Sequence, residues 1–323
     1  MIRHLPSHDI VVTGDFQSLR TAATTAVHPS SSDAILLGMP HLSSNGLSEI
    51  WLLKDLGHRH WGLLAEAAGM AVPAFRDDAG NPVYAAFCAI SIEGGDLAAV
   101  RENDMLRITS SLARLSRTQV SSSHQLVVDG RPIGTVTMIS TFVRRATDGG
   151  NHTVARVAVG GPPAALDSAP GPDLAGLAAA FRGGRVSRHL DFDLRPGSEI
   201  ASFTFDPCPG LDFNGAGFLY FASFVAMVDR AEWAFDPVAA TTAATAHREL
   251  FFYGNVDRGE TVTVRLFGRR AEGAAIVHYC RLERGSDGVA IADIFTRKAT
   301  GVGIAGQAVI STRIPSGVRT TAS

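Results

Sequence analysis

The feature that most constrains the fold of this chain is an internal repeat. A segment that ends in an Asn-Gly pair precedes a long helical pattern in each half, so that Leu42–Gly46 aligns with Leu211–Gly215. Farther along, Phe142–Thr147 aligns with Phe295–Thr300, and the elements follow in the same order. One such match could arise by chance, but an ordered series indicates a duplication. Two unrelated α+β halves are the alternative.

The length of the chain, 323 residues, suits two repeated domains, because domains usually span about 100–200 residues. Residues 148–190 are rich in Gly, Pro and Ala, which is typical of a connection. We therefore predict an N-terminal half over residues 1–147 and a C-terminal half over residues 191–323.

The composition excludes several classes of protein. A hydrophobic fraction of 46% excludes a disordered chain, and a net charge of −2 provides no basic excess for a nucleic-acid partner. Cys88, Cys208 and Cys280 form no CxxC pair, so neither a disulfide framework nor a metal site is expected. No window reaches about 18 apolar residues, and the first residues lack a signal-peptide pattern. We therefore expect a cytoplasmic protein that is not bound to a membrane.

Hydrophobic periodicity predicts one long helix in each half. Apolar residues between Leu47 and Gly69 recur at helical spacings, and Asn45 or Ser48 is available as the cap. A second helical pattern runs from Asn214 to about Trp233, and a short helix is predicted over Asp173–Phe181 in the connection.

Strand-like segments follow both long helices, and hairpin turns are predicted at Asp129-Gly130 and Asp287-Gly288. The predicted strands are His8–Thr13, Asp33–Leu42, Val83–Ile92, Asp104–Leu115, His124–Val128, Ile133–Arg144, Glu199–Phe205, Arg248–Asn255, Thr261–Gly268, Ile276–Leu282 and Val289–Thr296. Since an antiparallel sheet of this size must cover its apolar face, we expect each sheet to wrap its own helix. Joining the halves edge to edge would give one continuous α+β sheet around two central helices.

Two sets of residues resemble known proteins. The segment Asn214–Phe221 resembles the entry to the central helix in the hot-dog superfamily. A closer resemblance spans about residues 33–300, and it is to the double hot-dog acyltransferase/decarboxylase family of polyketide biosynthesis, of the leinamycin-pathway type. The residues that carry it are Gly46–Glu49, Trp51–Lys54, Gly57, His60-Trp61, Asp212–Phe221 and Asp229–Trp233.

The resemblance implies a double hot-dog fold and an enzyme that acts on acyl thioesters. The implied reaction decarboxylates methylmalonyl-CoA and transfers propionyl to an acyl carrier protein through its phosphopantetheine arm. No cofactor is implied besides the coenzyme A thioester substrate, and a homodimer is compatible with the family. A hot-dog thioesterase or dehydratase is the alternative enzyme, and a non-catalytic module that binds an acyl carrier protein is the alternative from another class.

The first candidate site residues are hydrogen-bond donors at the start of each central helix. Backbone N–H groups of Gly46-Leu47-Ser48 and Gly215-Ala216-Gly217 would stabilise the enolate that forms as CO2 leaves. The side chains of Asn45 and Asn214 would each add one donor. The alternative is that both Asn-Gly pairs serve only as turns and caps.

Histidine and tyrosine side chains are the second set of candidates. His60 could protonate the enolate, whereas His58 lies two residues away and cannot share its helix face. A hydrogen-bonded core histidine is the alternative for His60. The family uses a tyrosine to carry or position the acyl group; the first helix has none, so Tyr220 is the candidate here.

Four charged residues complete the predicted site. Glu49 is a candidate base and Asp212 a candidate acid of thioesterase-type chemistry, with a helix-capping acid and a loop aspartate as the alternatives. Arg144 and Arg297 end equivalent strands and could bind the phosphates of coenzyme A or phosphopantetheine. Solvated strand ends are the alternative for this arginine pair.

Overall fold

One antiparallel sheet of eleven strands dominates the computed structural model, which describes residues 30–146, 150–157, 166, 173–194, 197 and 199–300. Its strands are β1 (Ser30–Leu36), β4 (Tyr84–Glu93), β5 (Met105–Arg114), β6 (Gln119–Val128), β7 (Arg131–Arg145), β8 (Val154–Arg156), β11 (Ala201–Phe205), β12 (Ala243–Phe252), β13 (Val262–Glu272), β14 (Ala275–Arg284) and β15 (Ala290–Thr300). Two short ladders pair β2 (Leu42–Ser43) with β3 (Gly46–Leu47) and β9 (Arg188–His189) with β10 (Phe192–Asp193). The order across the large sheet is β1-β5-β6-β7-β4-β12-β15-β14-β13-β11, with β8 beside β7.

Two long helices, α1 (Glu49–Ala67) and α4 (Phe221–Phe235), pack against one face of this sheet and against each other. Their buried side chains form one core with strands of both halves. The core residues of the helices include Leu52, Leu53, Leu56, Phe224, Val225 and Val228. The α+β architecture of two central helices on one continuous sheet is therefore confirmed.

The opposite face of the sheet is covered by α2 (Asp173–Arg182), which lies in the connection between the halves. Successive side chains of a strand point to opposite faces: Leu250 of β12 joins the core of the long helices, and Phe251 joins the core under α2. Phe181 of α2 stacks on Phe251 with ring centroids 4.0 Å apart. The predicted helix in the connection is confirmed, and its amphipathic face explains why it packs there.

The two halves meet where β4 pairs with β12, from Ala89 opposite Phe251 to Ile92 opposite Arg248. β12 ends at Phe252, so that residues 84–88 of β4 extend beyond their partner. A register shift in the pairing of β4 with β7 falls at this extension, between Phe87 and Ala89. The seam between the two halves, formed by the pairing of β4 with β12, is therefore open at one end.

Local chemistry explains where α1 begins and how the hairpins turn. The Ser48 hydroxyl accepts a hydrogen bond from the Trp51 N–H at 3.3 Å, so Ser48 and not Asn45 caps α1. Asp129 and Gly130 have φ of 49° and 82°, which is the backbone of a type I′ hairpin turn. The predicted turn between β6 and β7 is confirmed.

The second central helix starts later than predicted. Asn214 to Tyr220 form a loop, and α4 begins only at Phe221. The Asn214 side chain accepts the N–H groups of Ala216 and Phe218 at 3.0 and 3.1 Å, and such local bonds compete with the helix. Two short helices, α3 (Pro209–Asp212) and α5 (Pro237–Thr242), flank α4 and were not predicted.

Some predictions fall outside the described residues. The strand over His8–Thr13 is one of them, and the boundary after residue 147 lies at another such position. The division at residues 1–147, 148–190 and 191–323 therefore stays a prediction. Within the described part of the chain, no helix has the length and apolar character to cross a membrane.

Candidate active site

A cavity of about 650 Å³ opens at the end of the seam between the two halves. Its walls come from the middle of α1, from residues 84–88 of β4 and from the loop that precedes α4. A volume of this size is typical of small-molecule sites. Most of the wall is apolar, and its aromatic residues are Trp61, Tyr84, Phe87, Phe218, Tyr220, Phe221, Phe224, Phe252 and Tyr253.

The loop from Asn214 to Tyr220 forms one edge of this cavity. The Asn214 N–H donates to the Phe218 carbonyl at 2.9 Å, and the Gly217 N–H donates to the Asn214 carbonyl at 2.8 Å. Together with the two N–H groups bound by its side-chain oxygen, these bonds fix the Asn214 residue firmly. Because backbone N–H groups can only donate, the oxygen of the amide must face them, and its NH2 group must point away.

Both halves of the molecule hold this loop. From the first half, Arg145 donates to the Ala216 carbonyl at 2.5 Å, and from the connection the Asn151 NH2 group donates to the Gly217 carbonyl at 2.8 Å. From the second half, the Asn255 side chain accepts the Leu219 N–H at 2.9 Å and donates to the Leu219 carbonyl at 3.0 Å. A loop with this many bonds is preorganised before a ligand arrives.

Several hydrogen-bond donors at the loop have no partner among the described residues. The Asn214 NH2 group is one, and the Tyr220 hydroxyl, which also lines the cavity, is another. The N–H groups of Phe221 and Ala222, in the first turn of α4, likewise make no hydrogen bond to the described part of the chain. Burial raises the pKa of Tyr220, so its phenol keeps its proton at neutral pH.

No carboxylate lines the cavity within the described residues. The nearest predicted acid, Asp212, is buried, and one of its oxygens accepts the Cys208 N–H at 2.8 Å. Its backbone carbonyl accepts the Tyr220 N–H at 2.7 Å and the Ser223 hydroxyl at 3.0 Å. Asp212 therefore anchors the loop from behind. The cavity provides donors and apolar surface, which favours the binding of a ligand that carries or develops negative charge.

His60 lines the cavity, but both of its ring nitrogens are occupied. Nδ1 lies 2.7 Å from the Ser122 hydroxyl and Nε2 lies 2.7 Å from the Ser140 hydroxyl. The Ser122 hydroxyl also contacts Nε2 of His124 at 2.9 Å. Burial lowers the pKa of His60 to about 3, with a smaller effect of His124, so the imidazole is neutral. The structure supports the alternative of a hydrogen-bonded core histidine.

The equivalent residues of the first half are placed differently. The Asn45 NH2 group donates to the carbonyls of Ala240 and Ala243 at 2.8 and 3.0 Å, under α5. Glu49 is buried and accepts hydrogen bonds from Arg248 at 3.0 Å and Thr245 at 2.6 Å. Burial raises the pKa of Glu49, and Arg248 opposes that effect. Neither Asn45 nor Glu49 reaches the cavity.

The backbone donors predicted at both helix starts are largely used within the protein. Ser48 donates its N–H to the His41 carbonyl at 2.9 Å, and Gly46-Leu47 pair with β2. Gly46, at φ 105°, is required because a Cβ there would lie 2.1 Å from the Leu97 carbonyl oxygen. Ala216 and Gly217 donate to Asn214, so the expectation of open N–H groups is wrong for these two residues. The open N–H groups lie a few residues later, because α4 starts later.

The remaining predicted residues divide between the cavity and the surface. His58 and Gly215 line the cavity, and both are exposed. Arg144 forms an ion pair with Asp77 at 3.5 Å, and Arg297 forms one with Glu272 at 3.4 Å, away from the cavity wall. Their predicted phosphate-binding role has no support in this geometry.

A group that could geometrically hold a metal ion lies near the cavity, where His152, Asp257 and Glu260 place one ligand atom each within 4.8 Å of one another. These side chains already bind protein groups. His152 contacts Glu260 at 2.5 Å, and the N–H of Asn151 donates to Asp257 at 2.8 Å. The group acts as a hydrogen-bonded link between the connection and the second half, and the expectation of no metal stays a prediction.

Sequence reasoning missed several residues of the cavity, among them Tyr84, Cys88, Arg156, Arg182 and Asn255. None of them belongs to a local motif. A repeat alignment could have drawn attention to the segment after β12, since Asn255 follows the strand that is the counterpart of β4. Both arginines lie in the connection, where the repeat gives no guidance.

No protein-family model and no curated protein matches this chain. Among solved structures, the chain is similar to an acyl-ACP thioesterase from Bacteroides thetaiotaomicron VPI-5482, with 9% identity, a TM-score of 0.59, and coverage of 84% of this chain and 98% of that chain. It is similar to a putative oleoyl thioesterase from Lactobacillus plantarum, with 13% identity, a TM-score of 0.58, and coverage of 85% and 97%. It is also similar to the 12:0-ACP thioesterase from Umbellularia californica, with 9% identity, a TM-score of 0.55, and coverage of 84% and 94%. The predicted double hot-dog fold is thereby confirmed.

Proposed function

We propose that this protein is an enzyme that acts on acyl thioesters and decarboxylates a malonyl-type thioester in the cavity beside Asn214. The observation that carries the proposal is the fixed Asn214 amide, whose oxygen is held by two backbone N–H groups and whose NH2 group is left for a ligand. The solved structures similar to this chain include proteins named as acyl-ACP thioesterases, which supports the class of substrate.

In the proposed step, the thioester oxygen accepts hydrogen bonds from the Asn214 NH2 group and from the open N–H groups at the start of α4. The bond between the α-carbon and its carboxylate breaks, CO2 leaves, and the electron pair forms an enolate on the thioester oxygen. Donors that are fixed before the reaction stabilise this charge at little cost of reorganisation. The Tyr220 phenol then protonates the α-carbon and regains a proton from water.

The apolar wall contributes to the same step. A carboxylate loses its hydration when it enters a cavity lined by side chains such as Phe87, Phe218 and Phe221. Release of the substrate carboxylate as neutral CO2 is then favourable. No carboxylate among the described lining residues repels the negative charge of the substrate. Transfer of the resulting acyl group to a carrier protein is the part of the proposal that rests on the sequence resemblance.

Hydrolysis of an acyl thioester is the second candidate function, favoured by the similarity to proteins named as thioesterases. It requires a base that activates water, and Asp212 is the buried carboxylate closest in sequence to Asn214. One Asp212 oxygen is already bound to the Cys208 N–H. Decarboxylation needs only the donors that the cavity already presents, so we place it first.

One experiment separates the two reactions. The protein is incubated with methylmalonyl-CoA and a holo acyl carrier protein, and the products are identified by mass spectrometry. Propionyl-CoA or propionyl-carrier supports decarboxylation, free methylmalonate supports hydrolysis, and free propionate requires both reactions. Absence of turnover with any acyl-CoA would refute both enzyme functions.

Asn214 provides a direct test of the proposed donor. Asn214→Asp keeps an oxygen that can accept the N–H groups of Ala216 and Phe218 but removes the NH2 donor, so the loop should fold and turnover should fall. Loss of one such donor typically costs about 10²–10³ in kcat. The matched control is Asn45→Ala, which removes the equivalent amide of the first half and should leave kcat unchanged. Equal activity of Asn214→Asp and the wild type would contradict the proposal.

A further inference from the structure

Two arginines that form no ion pair with a described acid line one part of the cavity. We propose, building on the proposed function, that Arg156 and Arg182 bind the phosphate of the phosphopantetheine arm that presents the acyl thioester. Arg156 ends β8 and Arg182 ends α2, so the two residues come from different elements. Both are among the residues that line the cavity, and both are exposed at its surface.

The two guanidinium groups act on the same place. Burial raises the pKa of the Cys88 thiol, and the positive charges of Arg182 and Arg156 both oppose that effect. Cys88 is 4% exposed and lies at the irregular end of β4, next to the open end of the seam. Cys88, Arg156 and Arg182 all line the cavity, so the two positive charges lie on one part of its wall.

Neither charge is paired with an acid among the residues that the structure describes. Arg182 donates a hydrogen bond to the Phe252 carbonyl at 2.7 Å and also contacts the Cys88 thiol, which leaves further N–H groups of its five to bind a ligand. The Arg156 side chain makes no hydrogen bond or ion pair with the described part of the chain. By contrast, Arg144 and Arg297 form ion pairs with acids. Arg156 and Arg182 are therefore better able to bind an anion.

The position of the pair indicates which anion it takes. Arg156 and Arg182 are exposed, whereas the interior of the cavity is lined by aromatic side chains. A phosphate at the rim keeps part of its hydration while the uncharged arm enters the apolar interior. Guanidinium groups bind phosphate oxygens through two parallel hydrogen bonds. The position of the two arginines at the rim therefore fits the phosphate of the arm better than an acyl carboxylate, which would lie in the cavity interior.

Binding measured without turnover tests the assignment. Isothermal titration of 4′-phosphopantetheine and of pantetheine, which lacks the phosphate, should show at least tenfold tighter binding of the phosphorylated compound. The double variant Arg156→Ala and Arg182→Ala should lose this difference and keep its affinity for pantetheine. The variant should melt only slightly below the wild type, because both residues are exposed and Arg182→Ala removes the hydrogen bond to the Phe252 carbonyl. Arg117→Ala, an exposed arginine outside the cavity wall, should behave as the wild type.

Other outcomes would overturn the assignment. Equal loss of affinity for both compounds would show that the arginines support the cavity structurally, and no loss for either would show that the phosphate binds elsewhere. If the double variant instead loses a wild-type preference for malonyl-pantetheine over acetyl-pantetheine, the pair binds an acyl carboxylate. The test is independent of the proposed function. Phosphate-dependent binding without turnover would support the phosphate subsite and refute the proposed reaction. Turnover that does not depend on the two arginines would support the proposed reaction and refute the phosphate subsite.

Discussion

At the residue scale, the buried pair His60 and His124 links the stability of the protein to pH. Burial lowers the pKa of each imidazole to about 3, with smaller effects of His124 on His60 and of Arg59 on His124. The unfolded chain binds protons near the ordinary histidine pKa of about 6.5, so only the unfolded state gains protons between that pH and about 3. The stabilisation is complete above about pH 6.5, and each histidine should remove up to roughly 1.4 kcal/mol per pH unit as the pH falls. Urea unfolding at pH 7, 5.5 and 4.5 measures this slope.

A pair of variants isolates the contribution of these histidines from that of the carboxylates. His124→Asn should reduce the loss of stability per pH unit, because one proton-binding difference is removed. His58→Gln, which changes an exposed histidine of α1 (the helix of His60), serves as the control. An unchanged slope in His124→Asn would show that His124 is not held neutral in the folded protein.

The same residues show what sequence can and cannot reveal at this scale. His60 stood out by its position in the helix, but its partners Ser122 and Ser140 lie 62 and 80 residues away on other strands. Asn214 could be found from its Asn-Gly pair, whereas the direction of its amide depends on the backbone N–H groups that bind it. Arg156 and Arg182 belong to no motif, and only the folded chain brings them to one wall.

At the element scale, a buried ion cluster joins α1 and α4 to the sheet. Arg248 of β12 binds Glu49 at 3.0 Å and Asp229 at 2.9 Å, and Lys298 of β15 binds Glu232 at 2.7 Å. Removal of one partner from such a cluster leaves an unpaired buried charge, which usually costs about 3–5 kcal/mol. Arg248→Ala should therefore lower the free energy of unfolding by that amount. Arg131→Ala breaks an exposed pair with Asp96 and should change it by less than about 1 kcal/mol.

Two glycines of α1 give a second prediction at this scale. A Cβ at Gly57 would lie 2.8 Å from the Phe221 ring, whereas a Cβ at Gly62 would have no atom within 4 Å. Gly62→Ala should stabilise the helix by about 0.5–1 kcal/mol without changing activity. Gly57→Ala must displace Phe221, which lines the cavity, and should shift the preferred acyl chain length. Identical substrate profiles for the two variants would show that Phe221 does not shape the acyl site.

Elements were predicted best where periodicity is long and uninterrupted. α1 was found with its boundaries nearly correct because apolar spacing, a serine cap and a terminal glycine agree. The start of α4 was misplaced because Asn214 offered a plausible cap in the sequence but forms a local turn in the structure. The short helices α3 and α5 begin at Pro209 and Pro237 and are too short for periodicity to reveal.

At the scale of the whole molecule, the repeat predicted two equivalent halves, and the continuous sheet confirms that architecture. The two halves differ at the start of their central helices, where the candidate site residues lie. Asn214 faces an open cavity, while its counterpart Asn45 is bound to the carbonyls of Ala240 and Ala243 beneath α5. A duplicated sequence pattern cannot show this difference, because α5 has no counterpart in the first half among the described residues.

This asymmetry predicts that one chain binds one acyl thioester. Titration with a non-hydrolysable acyl-CoA analogue should give a stoichiometry of one ligand per chain, since the Asn45 amide is already used by the protein. Asn214→Ala should weaken that binding, whereas Asn45→Ala should keep it and lose stability of about 1–2 kcal/mol for the lost hydrogen bonds. Two ligands per chain in the wild type, with one lost in Asn45→Ala, would show that α5 moves aside and that both halves work.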